Sequence, residues 1–285
     1  MGLFHFQVLY NVLENIHYIY DESELANTIL ATISDALNAE GGSIFKILPD
    51  ERIIPLAAYG ASLEAMKKLE FKVGVGVVGW VAQYIQPVKV DNPRQDPRFM
   101  GMADKCTGFH TRSILAAPII TKGEIVVVIE FLNRKGGPFA APDLELVSMV
   151  GREIGIAFEN VRLIQSLEQD RAFHEAVVNS LSCAIIAVDK DGNLLSINPN
   201  AKRMLRLKYE GGEDVHPKIS EALSAFPALV KQLEEVAASK TAKSKQSMVM
   251  RIADKERKIE WSSVPIVKKR DGKSLGAALI FHDKA

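Results

Sequence analysis

Apolar residues recur with a helical period at the beginning of the chain. Between residues 2 and 20 they occupy every third or fourth position, namely Phe6, Leu9, Leu13, Ile16 and Ile19. This spacing predicts an amphipathic helix over residues 1–22. Asp21 to Ser23 can cap a second helix, whose apolar face comprises Leu25, Ile29, Ile33 and Leu37. We expect Gly41-Gly42 to end this second helix, because glycine readily adopts the left-handed conformation found at helix ends.

Short apolar runs follow, and they predict β-strands. Residues 41–48 and 52–60 are predicted to be two strands joined at Pro49-Asp50. A short helix at Val78–Tyr84 and a strand at Pro87–Val90 come next, and a polar loop at Asp91–Arg98 follows them.

Residues 104–143 predict a β-hairpin around which the first half of the chain is organised. A polar turn leads into an apolar run ending in Pro118, a tight turn spans Thr121–Glu124, and a second apolar run follows. Apolar runs of this length between turn residues are typical of strands that pack a core. Polar side chains at the rim of the hairpin are the best indication of a site: Thr107, Thr111, Arg112, Glu130, Asn133 and Asp143.

A long helix is predicted from Pro142 to about Leu181. At about 1.5 Å per residue it is more than about 50 Å long, far more than one small domain needs. Its apolar residues fall on a heptad-like seam interrupted by three polar ones: Ile156, Leu163, Leu167, Val177 and Leu181, with Asn160, Asp170 and His174 between them. The pattern favours a signalling helix that pairs with a second protomer. A helix that lies on its own domain is the alternative.

The second half begins with a strand, an Asp191-Gly192 turn, a second strand and a helix starting near Asn198-Pro199. A helix is predicted around Ile219–Ala238. Three strands, at residues 247–253, 257–268 and 274–283, complete the chain. Together the elements predict an α+β fold.

Composition bounds the class of protein. The chain has 285 residues, which is about right for two domains, and 47% of them are hydrophobic. Its formal net charge is zero, so no general attraction to nucleic acid or to an anionic membrane is implied. No apolar stretch approaches the length of a membrane-spanning helix. Two cysteines without paired spacing favour a reducing, cytoplasmic setting.

The first half resembles a GAF domain, a ligand-sensing regulatory module. The resemblance rests on Thr-Gly-Phe-x-Thr-Arg at Thr107–Arg112, on Asn133…Phe139-x-x-x-Asp143, and on Gly74, Gly76 and Gly79 followed by Asp96-Pro97-Arg98-Phe99. It covers about residues 23–165 and is closest to the branch that binds cyclic nucleotides. That branch has a pocket under a lid over an antiparallel sheet, where hydroxyls and an acid contact the base and backbone amides contact the phosphate.

The resemblance implies cAMP or cGMP as the ligand and a set of candidate binding residues: Ser43, Asp104, Thr107, Phe109, Thr111, Arg112, Glu130, Asn133 and Asp143. Glu130 is the most informative, because it interrupts the apolar run Ile125–Leu132 and an acid there is costly to bury without a partner or cavity. Asn133 and Asp143 have a structural alternative, which is to fix the turn and cap the long helix. Val127 stands where the family usually has glycine and is expected to narrow the space near the sheet.

The second half is similar to a PAS domain over about residues 172–283. The resemblance rests on the strand–Asp-Gly–strand–Asn-Pro-Asn-Ala opening and on a long hairpin ending in Phe281-His282-Asp283. We therefore expect two domains, 23–165 and 172–285, each a central antiparallel sheet flanked by helices, joined by the helix at 142–181.

These resemblances imply a cytoplasmic, non-catalytic sensory module, a parallel homodimer that acts on a downstream output domain or partner protein. Such modules form the input part of histidine kinases in two-component systems, of cyclases or of transcriptional regulators, or act in trans. The alternative is a ligand-free dimerisation and protein-docking module whose pockets are filled by side chains.

Other chemistry finds little support in the sequence. Cys106 could be a redox or tetrapyrrole attachment point, but a lone cysteine is more often inert. His216 could ligate haem, although its setting beside glycines and a proline favours a surface role. The basic runs Lys240–Lys245 and Lys255–Lys258 contain no aromatic residues, so we expect no direct nucleic-acid binding. No metal-ligand cluster or catalytic motif is present.

Overall fold

The computed structural model describes residues 10, 12, 14, 16, 19–207, 217–239, 241–252, 255–268 and 270–283. The chain divides into two compact units, Met1–Glu168 and Gln169–Ala285. Each unit is built on its own antiparallel sheet flanked by helices, which confirms the predicted α+β fold. Most of the predicted N-terminal helix lies outside the described residues.

The first unit contains a six-stranded sheet of order β3-β2-β1-β6-β5-β4. Its strands are β1 (Ala39–Ile47), β2 (Arg52–Tyr59), β3 (Phe71–Lys72), β4 (Val88–Val90), β5 (Ile114–Thr121) and β6 (Glu124–Arg134). β5 and β6 form the predicted hairpin, with Lys122 and Gly123 in the turn and both in the left-handed conformation. β6 also pairs with β1, which places this hairpin at the centre of the sheet.

The helices of the first unit lie on both faces of its sheet. They are α1 (Glu22–Ala36), α2 (Leu63–Met66), α3 (Gly76–Tyr84), α4 (Met102–Thr107) and α5 (Ala141–Ser180), with a short 3-10 helix at Pro93–Gln95. Asp21 caps α1 by accepting hydrogen bonds from the backbone N–H groups of Ser23 and Glu24. α5 has 40 residues and is about 60 Å long. It is the predicted long helix between the two domains.

Alternation along β6 separates the two faces of the sheet. Val127, Ile129 and Phe131 belong to the core that includes residues of α1 and α5. Val128 and Leu132 belong to a second cluster on the opposite face, together with residues of α3. Glu130 is two residues away from both Val128 and Leu132 in the strand, so its side chain lies on the same face of the sheet as theirs.

Two local expectations for the first unit are wrong. Gly41-Gly42 does not end α1 but lies within β1, because α1 already ends at Ala36 and Asn38 takes the left-handed conformation. A β-carbon at Gly42 would stand 2.7 Å from the carbonyl oxygen of Glu130, so close strand contact explains the glycine. The polar turn predicted before β5 contains α4.

The second unit contains a five-stranded sheet of order β8-β7-β11-β10-β9. Its strands are β7 (Ala184–Asp189), β8 (Leu194–Ile197), β9 (Lys243–Ile252), β10 (Lys255–Val267) and β11 (Ser274–Asp283). Its described helices are α6 (Pro199–Leu205), α7 (Ile219–Ala222) and α8 (Pro227–Ser239). The single helix predicted at Ile219–Ala238 is therefore two, and Pro227 begins the second, since proline suits the first turn of a helix.

Asn198 holds the beginning of the second unit together. Its side-chain oxygen accepts hydrogen bonds from the backbone N–H groups of Ile185 and Ala201, at 2.9 Å each, and its amide nitrogen donates to the carbonyl of Cys183 at 2.9 Å. It thus caps α6, which begins where the Asn-Pro pattern predicts, and it also joins this helix to β7. Across the part of the chain that the structure describes, no helix is both long and apolar enough to span a bilayer.

Candidate functional site

A cavity lies between the second face of the first sheet and a covering segment, residues 91–112, which we call the lid. Its volume is about 110 Å³, enough for several water-sized molecules. The wall is largely apolar and rich in aromatic and sulfur-containing side chains: Phe45, Phe71, Phe99 and Phe109, with Met66, Met100 and Met102.

Two polar side chains enter the cavity from the sheet. Ser43 of β1 and Glu130 of β6 are cross-strand neighbours in the antiparallel register, and both line the cavity. Ser43 is buried, and its hydroxyl contacts the sulfur of Met66 at 3.6 Å. Because the two residues are paired across the strands, the hydroxyl of Ser43 and the carboxyl group of Glu130 lie side by side on the face of the sheet that lines the cavity.

The carboxyl group of Glu130 has an unusual environment. Burial and, to a smaller extent, the nearby charge of Asp104 raise the pKa of Glu130 from its ordinary value of 4.5 to about 7. Among the described residues no hydrogen bond or ion pair holds this carboxyl group. The part of its surface that remains accessible borders the cavity. Within the described part of the chain, Glu130 is thus a hydrogen-bond acceptor without a donor.

Asp104 of α4 is the second acid, and its carboxylate is fully engaged. Its oxygens accept hydrogen bonds from the hydroxyl of Thr111 at 2.5 Å and from the backbone N–H of Thr111 at 3.1 Å. Arg94 lies 3.2 Å from the same carboxylate. Asp104 and Thr111 are both buried. This cluster fastens α4 to the chain entering β5, so it shapes the lid as well as lining the cavity.

Thr107 and Phe109 form the end of the lid. The hydroxyl of Thr107 donates to the carbonyl of Ala103 at 2.8 Å and accepts from the backbone N–H of Phe109 at 3.3 Å. The Phe109 ring lies against Gly41, where a β-carbon would be 2.9 Å from the ring. The glycine in β1 therefore leaves room for this aromatic side chain at the cavity edge.

Three candidate residues lie outside the cavity. Asn133, which is buried and in the left-handed conformation, accepts from the backbone N–H of Arg112 at 2.6 Å and donates to the carbonyl of His110 at 2.8 Å. Arg112 is exposed and forms an ion pair with Glu40, which holds the pKa of Glu40 below its ordinary value. Asp143 accepts from the backbone N–H of Ala140 at 2.7 Å at the start of α5. These contacts support structural roles.

The first turn of α3 also borders the cavity, and the sequence reasoning did not assign it. Val75, Gly76, Val77 and Val78 are part of the wall, and no side chain caps this helix. Its first backbone N–H groups are therefore available to an anion, which the positive end of the helix also attracts. Gly76 has a φ of 76°, and the run of glycines before the helix was the signal for this turn.

Val127 does not narrow the cavity, contrary to expectation, because strand alternation places it in the core on the opposite face. Cys106 is exposed and Cys183 half-buried, and neither forms a disulfide. The described residues contain no group of three or more His, Cys, Asp or Glu side chains suited to a metal ion. His216 lies outside the described residues.

Family comparisons match both halves of the chain. Residues 21–158 match the family model described as the GAF domain, and residues 172–284 match the one described as the PAS fold.

Two curated relatives are cyclic-nucleotide phosphodiesterases. The cone cGMP-specific 3′,5′-cyclic phosphodiesterase subunit alpha′ of Mus musculus is 25% identical over 178 residues, which cover 56% of this chain and 21% of that protein. The dual 3′,5′-cyclic-AMP and -GMP phosphodiesterase 11A of Takifugu rubripes is 34% identical over 128 residues, which cover 42% of this chain and 14% of that protein. The chain thus spans about a fifth or less of the length of these relatives.

Solved structures agree with the fold of the first domain. The GAF domain from a phosphoenolpyruvate-protein phosphotransferase of Coxiella burnetii superposes with a TM-score of 0.51 at 17% identity, covering 57% of this chain and 96% of that one. The GAF domain from the Acinetobacter phosphoenolpyruvate-protein phosphotransferase superposes with a TM-score of 0.51 at 16% identity, covering 58% of this chain and 99% of that one. At this level of identity the likeness concerns the fold alone.

Proposed function

The chain carries a GAF domain at residues 21–158 followed by a PAS domain at residues 172–284, and we propose that it is a non-catalytic, cytoplasmic sensory module whose GAF cavity binds a cyclic nucleotide. Ligand binding beneath the lid changes the β5–β6 hairpin and the beginning of α5. The effect then reaches an output domain or partner protein by way of the PAS domain.

The observation that carries this proposal is the Glu130 carboxyl group. A carboxyl group with a raised pKa and no donor among the described residues is costly in an apolar cavity. A ligand that donates hydrogen bonds to it recovers that cost. Perturbed acids in concave, mostly apolar cavities are for this reason good indicators of ligand sites.

The chemistry of Glu130 favours guanine over adenine. A guanine edge presents two neighbouring N–H donors, which match the two acceptor oxygens of a carboxylate. Adenine offers one donor beside a ring nitrogen acceptor, and this pair requires a protonated carboxyl group. We therefore expect cGMP to bind more tightly than cAMP at neutral and higher pH. The names of the phosphodiesterase relatives include both nucleotides.

The phosphate is assigned to the first turn of α3. No Lys, Arg or His side chain is among the described residues that line the cavity, whereas three acids, Glu70, Asp104 and Glu130, do line it. A phosphate is therefore best placed away from Glu130, at the uncapped N–H groups of α3. The apolar and aromatic wall between these two ends suits the faces of a purine.

A thermal melt of the full chain with each nucleotide tests the proposal. A ligand at about a hundred times its dissociation constant adds about 2.7 kcal/mol to the stability of the domain that binds it. We expect a shift with cGMP that is lost in Glu130→Gln. Glu124→Gln is the matched control, since Glu124 is exposed on the same strand. The absence of any shift with cGMP or cAMP would overturn the nucleotide assignment and favour a ligand-free docking module.

A further inference from the structure

Two methionines at the edge of the GAF cavity are open to solvent. Met100 is 50% exposed and Met102 is 53% exposed, and both side chains line the cavity. The other methionines in the described part of the chain are half-buried or buried: Met66, Met149, Met204, Met248 and Met250. The two most exposed thioethers of the described residues therefore lie together, on either side of Gly101 in the lid.

These side chains form the mouth of the cavity. Val75, the residue before α3, is also exposed and also lines the cavity. The sulfur of Met100 lies 3.9 Å from the point where a β-carbon would stand at Gly76, the first residue of α3. The thioether of Met100 is thus placed between solvent and the first turn of α3.

Exposure decides which thioethers a peroxide can reach. Oxidation converts the flexible, apolar methionine side chain into a polar sulfoxide, and accessible methionines are oxidised first. Met66 lines the same cavity but is only 5% exposed. The mouth of the cavity is therefore the part whose polarity an oxidant changes, whereas its interior is protected.

We propose that Met100 and Met102 are a modification site, that hydrogen peroxide oxidises them to methionine sulfoxide, and that this oxidation weakens ligand binding in the cavity, an effect that rests on the proposed function. In this reaction the sulfur lone pair attacks one peroxide oxygen, so that an S–O bond forms while the O–O bond breaks. The departing hydroxide takes the proton of the transferred OH group and leaves as water. The sulfur loses two electrons and the peroxide gains them, so no further reactant is needed.

The position of Met100 explains why oxidation opposes binding. No side chain caps α3, so the backbone N–H groups of its first turn have no partner within the helix. A sulfoxide oxygen carries partial negative charge and accepts hydrogen bonds, and on Met100 it is placed beside these groups. It then occupies the place assigned to the phosphate of the ligand. A sulfoxide on Met102 adds a second polar group to the apolar mouth.

Peptide mapping by mass spectrometry, after brief exposure of the full chain to hydrogen peroxide, tests the modification itself. We expect Met100 and Met102 to be oxidised at least about tenfold faster than Met66, because Met66 is buried. Fragment ions distinguish Met100 from Met102, which lie in one tryptic peptide. Oxidation of Met66 at the same rate as the other two would overturn the proposal.

Titration calorimetry with cGMP before and after peroxide treatment tests the effect on binding. We expect the affinity of the parent protein to fall at least about tenfold, because the charged phosphate loses hydrogen bonds. Methionine sulfoxide reductases A and B should together restore it. Peroxide should not change the affinity of the double variant Met100→Leu, Met102→Leu. Met149→Leu, at a half-buried position outside the cavity, is the control and should respond as the parent does.

A further measurement needs no ligand. Oxidation of the parent should slow the solvent exchange of the Val77 and Val78 amide protons, measured by NMR, at least about threefold, because the sulfoxide oxygen accepts hydrogen bonds from this turn. Exchange should not change in Met100→Leu. If the untreated parent does not bind cGMP but this slowing is observed, the nucleotide assignment fails and the methionine site stands. Unchanged exchange after oxidation, or a cGMP affinity that oxidation of both methionines leaves unaltered, would overturn the proposal.

Discussion

Lys122, in the turn between β5 and β6, forms an ion pair with Glu159 of α5. The same carboxylate accepts a hydrogen bond from the hydroxyl of Thr121 at 3.2 Å. Glu130 lies further along β6, the strand that follows this turn. The tip of the hairpin that lines the cavity is thus fastened to α5, the long helix that follows this hairpin in the chain.

In Glu159→Gln, ligand binding in the cavity should no longer change the beginning of α5. Because the Lys122 side chain is 76% exposed, solvent screens this ion pair and the loss in stability should be small. We expect the affinity for cGMP to stay within about twofold, since Glu159 does not line the cavity. The proposed function implies that cGMP changes the amide hydrogen exchange of α5 between residues 141 and 168, and this change should disappear in the variant. Glu168→Gln is the control, and an unchanged ligand response in Glu159→Gln would rule out this contact as the route.

Glu130 should make the stability of the GAF domain pH-dependent. Its folded pKa of about 7 exceeds its ordinary value of 4.5, so the folded state binds more protons between these values. Stability should therefore fall as pH rises, by about 2 to 3 kcal/mol between pH 5 and pH 8. The free energy of unfolding of Glu130→Gln, measured by urea denaturation, should not fall in this way, and it should exceed that of the parent protein by the largest amount at pH 8. The fall should persist in Glu124→Gln.

Asn133 should matter for folding and little for ligand contact. Removing its side chain leaves the backbone groups of Arg112 and His110 without their partner, which should lower the free energy of unfolding by about 2 to 4 kcal/mol. Asn133→Gly separates this loss from strain, because glycine adopts the left-handed conformation freely, and Asn133→Ala should be less stable still. A large loss of cGMP affinity in folded Asn133→Gly would instead indicate a direct binding role.

Gly155 should be required for the close packing of α5 on β5. A β-carbon there would lie 3.1 Å from the carbonyl oxygen of Ile120 and 3.4 Å from the Ile119 side chain. Gly155→Val should therefore lower the free energy of unfolding by about 1 to 3 kcal/mol, although valine forms helices better than glycine. Gln169→Val, at an exposed position of the same helix, should change it little. Equal losses of stability in Gly155→Val and Gln169→Val would show that Gly155 is not closely packed against β5.

The sequence predicted the helices and strands more accurately than it predicted which side chains line the cavity. Glu130 stood out because a charge interrupted an apolar run, and strand alternation could also have assigned Val128 and Leu132 to its side and Val127 to the other. Asn133 and Asp143 fitted the spacing of the family motif. Spacing cannot show whether a polar side chain faces a cavity or bonds to backbone, and here both bond to backbone.

The apolar wall was missed for a different reason. Phe99 and Met100 lie in an irregular part of the lid, and Met102 begins the short helix α4, so no period indicates which of these side chains point inward. The uncapped first turn of α3 was equally hidden, since the glycines before it indicated a turn but not what the helix end faces. Such placements depend on how the lid packs against the sheet, which local patterns do not determine.

The most direct test of the cavity as a cGMP site is the number of protons released when cGMP binds, measured by titration calorimetry in buffers of different ionisation enthalpy. A ligand that donates to Glu130 lowers the pKa of that carboxyl group from its value of about 7. We predict release of about 0.9 proton at pH 6 and about 0.1 proton at pH 8, and none in Glu130→Gln. Binding without proton release at pH 6, equally tight in Glu130→Gln, would contradict the assignment.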